Sequence, residues 1–378
     1  MRLYSTQNTQ LQNFLFDKRT KSQHGARMKE NLRKKTRPIR LGDVLIGGEN
    51  PVSIQSMLSV KTSDVPKAGE QIRRLAAAGC EIIRFSVMDI DDAQAITALK
   101  GYSDLPLVAD IHFDHNLALA AIANGIDGLR INPGNIGSKA KVQELVSAAK
   151  DRQIPIRIGV NSGSLPKDLL AKYGHGKEAM VEAALSHVHI LEELGFYDIK
   201  ISAKASNLPL MLDSYRELSR RVDYPLHLGV TEAGTLLLGS IKSAMGIGIL
   251  LSEGIGDTLR ISLTADPVQE VYVARQILVA LGLRKGLNIV SCPTCGRTRI
   301  DLIGLAQRVE KALENYQDRN LTVAVMGCAV NGPGEAREAD FGIAGGIGEG
   351  LIFAKGEIVG KYPEDKLLDK LVELIEKV

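Results

Sequence analysis

Between residues 52 and 283, short β-branched runs alternate with longer amphipathic stretches, and no other feature of the chain restricts its fold as much. The strand-like runs are VSIQSM (52–57), EIIRFS (81–86), PLVADIH (106–112), DGLRIN (127–132), IRIGVN (156–161), YDIKIS (197–202), LHLGVTE (226–232) and TLRISL (258–263). Helical spacing is predicted between them over Pro66–Ala78, Lys139–Lys150, Lys177–Leu194, Leu208–Arg221 and Asp266–Leu281. Eight βα units in roughly 230 residues predict an α/β fold, a (β/α)8 TIM barrel. An open doubly wound sheet has the same element order and is the alternative, because strand order cannot be read from periodicity.

The pattern changes after Gly286. LNIVSCP and LTVAVMGC each read as a strand that runs into a cysteine, with a helix predicted over Asp301–Leu313, then a glycine-rich run and a closing helix over Pro363–Lys377. The expected organisation is a basic N-terminal extension (1–36) without fixed structure, a TIM-barrel domain (37–285) and a small α+β domain (286–378). The net charge of +3 conceals an asymmetry, since residues 1–40 carry eleven Lys and Arg against Asp17 and Glu30. That tail reads as a solvated extension, and Met28 is an alternative start. No run is apolar enough to span a bilayer or serve as a secretory signal, so a cytoplasmic enzyme without membrane association is expected. With no Trp and 4% aromatic residues, recognition of nucleic acid by stacking is not expected either.

The predicted strand ends would gather at one mouth of the barrel, where catalytic residues of this fold reside. Period-2 alternation sets Arg84 in phase with Ser86, Asp110 with His112, Arg130 with Asn132, Arg157 with Asn161, Lys200 with Ser202 and Lys204, and Arg260 with Ser262. So many cations with few matching acids call for an anion, and a phosphorylated substrate is the expected ligand. Asp110, His112 and Glu232 are the acid–base candidates, and Glu232 in TEAG could donate a proton if burial raised its pKa. The run INPGNIG (131–137) is a weak candidate phosphate loop, and GIAGGIGEG (342–350) reads as a hairpin rather than a nucleotide loop. His175, His187 and His189 have no acidic cluster nearby in sequence and are given no metal role.

Four cysteines in 378 residues do not make a disulfide framework. Cys80 reads as inert core, whereas Cys292, Cys295 and Cys328, with Glu335 following, suit either an iron-sulfur cluster or a structural zinc ion.

Taken together, SIQSM, VADIHFD, LRINPGNIG, IRIGVNSGSL, LGVTEAG, LLSEGIGDTLRISL, SCPTCGR and GCAVNGPGEA resemble the hydroxymethylbutenyl diphosphate synthase family, from about Arg37 to the C-terminus. The resemblance implies reductive ring opening and dehydroxylation of methylerythritol cyclodiphosphate, in the methylerythritol phosphate route to isoprenoids. It implies that Cys292, Cys295, Cys328 and Glu335 hold a 4Fe-4S cluster. It further implies that Arg84, Arg130, Arg157, Lys204 and Arg260 bind the diphosphate, with Asn132, Asn161, Lys200 and Ser262 as further donors and Glu232 as proton donor. Reduced flavodoxin or ferredoxin as electron donor and a head-to-tail homodimer are carried over in the same way. The competing readings are a pterin-synthase-like barrel with a structural zinc module, and an electron carrier or zinc-stabilised binding module.

Overall fold

The computed structural model describes residues 33–112, 114–328 and 337–377. The chain divides into two compact units, with the boundary between Ile277 and Leu278.

The first unit opens with a hairpin, β1 (Ile39–Leu41) and β2 (Val44–Ile46), that the periodicity did not suggest because each strand has three residues. Eight parallel strands follow: β3 (Ser53–Met57), β4 (Ile82–Ser86), β5 (Leu107–Asp110), β6 (Gly128–Ile131), β7 (Ile156–Asn161), β8 (Ile199–Lys204), β9 (His227–Leu228) and β10 (Thr258–Leu259). Their hydrogen-bonded order is β8-β7-β6-β5-β4-β3-β10-β9. The ring closes where Ile201 bridges to Leu226, with the Ile201 N–H donating to Pro225 O at 2.9 Å. A closed ring of this order is a (β/α)8 barrel, and it rules out the open sheet. Strands β9 and β10 leave the ladder earlier than predicted, and a Cβ at Gly229 would lie 2.5 Å from Lys204 Nζ, so the backbone there makes room for a cation.

The helices packed around the ring are α1 (Val65–Ala77), α2 (Ile90–Leu99), α3 (His115–Ala123), α4 (Lys139–Asp151), α5 (Lys167–Tyr173), α6 (Lys177–Glu193), α7 (Leu208–Arg221), α8 (Leu236–Ser252) and α9 (Pro267–Ala280). Their starts follow local chemistry. Asp64 caps α1 by accepting from Lys67 N, and Asn207 caps α7 by accepting from Leu210 N, each with a proline in the first turn. Tyr215 of α7 braces the closing seam: its hydroxyl donates to His227 O at 2.6 Å and accepts from Ala203 N at 3.2 Å.

The initial hairpin packs Ile39, Leu41 and Ile46 against Ile82 and Val108, near the strand starts, and thereby plugs the end opposite the mouth. Residues 33–36, assigned from sequence to the unstructured extension, are held on the barrel instead. Lys34 Nζ donates to Ser219 O and Val222 O at the end of α7, and Arg37 N donates to Asp223 O. Cations there complement the unsatisfied carbonyls of a helix C-terminus.

In the second unit, β11 (Leu287–Ser291), β12 (Leu321–Met326), β13 (Phe341–Gly345), β14 (Glu349–Ala354) and β15 (Glu357–Pro363) form one sheet in that order, parallel through β13 and antiparallel after it. Helices α10 (Leu302–Ala312) and α11 (Leu367–Glu376) complete its core with Leu305, Val309, Leu371 and Ile375. The glycine-rich run is β13 turning into β14, with Gly345 opposite Gly350, so it is the expected hairpin. Gly342 is required by close approach, because a Cβ there would lie 2.2 Å from the Phe353 ring.

Candidate active site

Barrels of this class usually fill their interior with branched apolar side chains. Here the inward positions are polar over most of the ring. Asp110, Arg130, Arg157 and Lys200 are directly in register across β5, β6, β7 and β8, and Asn161 pairs with Lys204 four residues further along the strands. Arg130, Arg157, Lys200 and Lys204 are each at least 94% buried. Long side chains fit because glycine occupies facing positions: a Cβ at Gly159 would lie 2.4 Å from Arg130 Nε.

Two carboxylates organise the cations. Asp110 accepts from Arg84 at 2.8 Å through one oxygen and from Arg130 at 3.3 Å through the other. Burial by itself would raise the Asp110 pKa, but Arg84, a hydrogen bond from His112 and the Arg130 and Arg157 charges outweigh it and hold the carboxyl well below its usual range. Asp110 is therefore an ionised anchor, which corrects the acid–base expectation from sequence. Glu270 of α9 is the second anchor, and periodicity gave no hint of it. Its oxygens accept from Arg260 Nε and a terminal Arg260 nitrogen at 3.3 Å each, from Ser56 Oγ at 3.0 Å and from Leu263 N at 3.1 Å. The only signal available in sequence was its place one turn into the helix that follows the Arg260 strand.

The remaining candidates lie around this core. Arg157 donates to Ser202 Oγ at 3.0 Å, and Asn132 Oδ1 accepts from Gly159 N at 2.9 Å, tying adjacent strand ends together. The His112 ring nitrogens lie 3.1 and 3.2 Å from Arg130, with the side chain half exposed. Asn161 and Ser262 are partly buried beside Lys204 and Arg260 in sequence phase. Glu232 is exposed, so the burial invoked from sequence to prepare it as a donor is not provided by this unit. Its backbone is unusual, with φ at +52°, a left-handed conformation that costs energy in a residue with a Cβ.

The INPGN turn is held from behind. Gly134 N donates to His187 Nδ1 at 3.0 Å, and burial lowers the His187 pKa to about 4, which keeps the ring neutral and able to accept. His187 thus docks the turn that carries Asn132, and the Gly134 N–H is used internally.

In the second unit, Cys292 follows β11 and Cys328 follows β12, adjacent parallel strands in which Ser291 is opposite Val325, so both thiols leave the sheet at one edge. Gly327 N donates to Cys292 Sγ at 3.1 Å, and Cys295 is exposed in a turn closed by Thr298 N donating to Cys295 O at 3.0 Å. Hydrogen bonds donated by the Arg297 backbone and side chain lower the Cys295 pKa and favour thiolate. Glu335 lies outside the described residues. Among the described residues no three His, Cys, Asp or Glu side chains are grouped to hold a single metal ion. In donor type, though not in the grouping of the described side chains, soft thiolates with an N–H donor on Cys292 Sγ fit an iron-sulfur centre. Cys80 differs in every respect: burial pushes its pKa up to about 12, leaving an inert core thiol.

Comparison with known proteins agrees with both halves. Residues 36–275 match the GcpE TIM-barrel domain and residues 288–377 match the GcpE protein C-terminal domain. The 4-hydroxy-3-methylbut-2-en-1-yl diphosphate synthase (flavodoxin) of Geobacter sulfurreducens is 60% identical over 349 residues, covering 92% of this chain and 99% of that protein. The protein of the same name from Clostridium perfringens is 57% identical over 348 residues, again 92% and 99%. The pterin-synthase-like alternative is not favoured by these matches. The chain belongs to the GcpE family, the 4-hydroxy-3-methylbut-2-en-1-yl diphosphate synthases.

Proposed function

We propose that this chain converts 2-C-methyl-D-erythritol 2,4-cyclodiphosphate, with two electrons and two protons, into 4-hydroxy-3-methylbut-2-enyl diphosphate and water. The observation that carries this reading is the register of Arg130, Arg157 and Lys200 inside a closed barrel, with Arg84, Lys204 and Arg260 beside them and, among the described residues, only Asp110 and Glu270 paired with these cations. A diphosphate supplies the missing negative charge, and guanidinium groups bind its oxygens in pairs.

In this reading Arg84, Arg130, Arg157, Lys204 and Arg260 grip the diphosphate, while Asn132, Asn161, Lys200 and Ser262 supply further hydrogen bonds. Asp110 and Glu270 aim three of the arginines, and His112 borders Arg130 at the rim. Glu232 gives a proton to the leaving oxygen. Cys292, Cys295 and Cys328, with Glu335, would hold a 4Fe-4S cluster. Such a cluster, when bound, supplies one-electron transfers, which suits reduced flavodoxin or ferredoxin as the source.

The strained backbone at Glu232 allows its role to be separated from stability. Glu232→Gly relieves the left-handed strain, so it is expected to leave the unfolding free energy unchanged or raise it by up to about 1 kcal/mol while turnover falls at least about a hundredfold. Retained turnover in this variant removes Glu232 from the reaction.

A homodimer pairing the barrel of one copy with the cysteine unit of the other is part of the same reading. Leu237, Leu238, Ile241 and Met245 form an apolar stripe on α8, each at least 49% exposed, which suits burial against a second copy. Among the described residues no helix is long and apolar enough to cross a membrane.

The test is turnover of the cyclodiphosphate by anaerobically purified protein with reduced flavodoxin. The expected product is the linear diphosphate, and Arg130→Ala is expected to raise KM by about ten- to a hundredfold, the size of a lost charge-assisted contact. Absence of product from intact, reduced protein rejects the assignment. Mixing Arg130→Ala with Cys328→Ser chains should restore part of the activity if the two halves work across a dimer, and no restoration excludes that arrangement.

A further inference from the structure

Beneath the mouth the barrel interior remains polar, and much of it has no protein partner. Among the described residues, Lys200 Nζ, both ring nitrogens of His227, Ser53 Oγ, Thr258 Oγ1 and the Gln55 amide are buried without a hydrogen bond. Ser53, Thr258 and His227 are in register across β3, β10 and β9, and Lys200 is in register with Arg157, whose Nε and one terminal nitrogen are also unpartnered.

The charged groups lining this chamber come from every strand around Lys200: Arg84 from β4, Asp110 from β5, Arg130 from β6, Arg157 from β7, Lys204 from β8 itself and His227 from β9. Arg260 follows β10, and Glu270 and Tyr215 enter from α9 and α7. Both carboxylates are already engaged, Asp110 by Arg84 and Arg130, Glu270 by Arg260. The Tyr215 hydroxyl is engaged by Ala203 and His227. Lys200 is left as a buried amine, 2% exposed, facing cations with no acid of its own among the described residues. Guanidinium groups keep their protons in proteins, whereas a buried lysine can release one.

We propose that Lys200 is the proton-exchanging member of the site: partly discharged while the barrel is empty, and protonated when a diphosphate enters. This rests on the reading of the barrel as a diphosphate site. Burial, then Arg157 and Arg84, lower the Lys200 pKa to about 7, so its charge is adjustable near neutral pH. A polyanion in the mouth reverses the local field and favours the ammonium form. Binding and proton uptake are then two sides of one coupling, and the reaction that follows consumes protons. Lys204 is also lowered well below its ordinary value, chiefly by burial and Arg157, so it contributes uptake of its own.

The experiment is titration calorimetry at about pH 8 in buffers of different ionisation enthalpy, with the cyclodiphosphate and, as a probe, inorganic pyrophosphate. The wild type is expected to take up more protons per ligand than Lys200→Met. Its affinity should fall more steeply with pH above about 7.5, by up to about tenfold per unit for one linked proton. Equal uptake by the two proteins overturns the proposal.

A second measurement needs no ligand. A lysine near 7 in the folded protein and about 10.4 in the unfolded chain makes the unfolded state bind more protons in between, so this group makes stability rise with pH across that window. The empty wild type should gain melting temperature from about pH 7 to 9 relative to Lys200→Met, and parallel profiles reject the assignment. Failure of either ligand to bind would count against the diphosphate reading, and the melting profiles would still decide the state of Lys200.

Discussion

Asp110→Ala is expected to cost about 3–5 kcal/mol of unfolding free energy, the typical consequence of removing one partner from a buried ion pair. Its side chain is 4% exposed and is shared by Arg84 and Arg130, so the variant leaves two buried guanidinium groups without their common anion. The contribution is present in full at neutral pH, since the folded pKa is depressed. It is lost only as pH falls below the ordinary carboxylate value and through the folded one. Urea unfolding at pH 7 measures it. A loss under about 1 kcal/mol would mean that the arginines are compensated by something other than Asp110. Added pyrophosphate should restore more stability to the variant than to the wild type, because it replaces the missing negative charge.

Cys328→Ser is expected to abolish cluster binding and lower turnover by at least about a thousandfold, because a serine hydroxyl is not deprotonated near neutral pH and is a hard ligand. Cys328 leaves β12 at the same edge where Cys292 leaves β11, so one substitution removes a proposed ligand that no neighbouring described cysteine can replace. Iron and sulfide analysis, the visible spectrum and turnover should change together. A variant that keeps its iron, sulfide and activity excludes Cys328 as a ligand.

Sequence periodicity recovered what local chemistry determines. Leu208–Arg221 was delimited correctly because Asn207 and Pro209 mark its start, and Ile156–Asn161 because alternation and β-branching agree over its whole length. The cations of the mouth were legible because polar residues recur in phase at six strand ends with few acids to match them, whereas a single arginine there would read as solvated or salt-bridged. What stayed hidden depends on contacts distant in sequence. Strands β13 and β14 carry glycines, Gly342, Gly345 and Gly350, that the close approach of Phe353, Ile300 and Leu367 explains. The anchoring role of Asp110 requires two neighbouring strands, and that of Glu270 requires a helix folding back over Ser56 and Arg260. Lys200 read as one more donor at the mouth, and only closure of the ring reveals it as a buried amine among fixed charges.

Cationic side chains immobilising a diphosphate while thiolates carry a redox centre is the claim on which the functional account depends. Anaerobic purification followed by iron, acid-labile sulfide and zinc analysis tests it most directly. The account predicts brown protein with about four iron and four sulfide per chain, bleached by reductant. Colourless protein with one zinc per chain and no sulfide would contradict it.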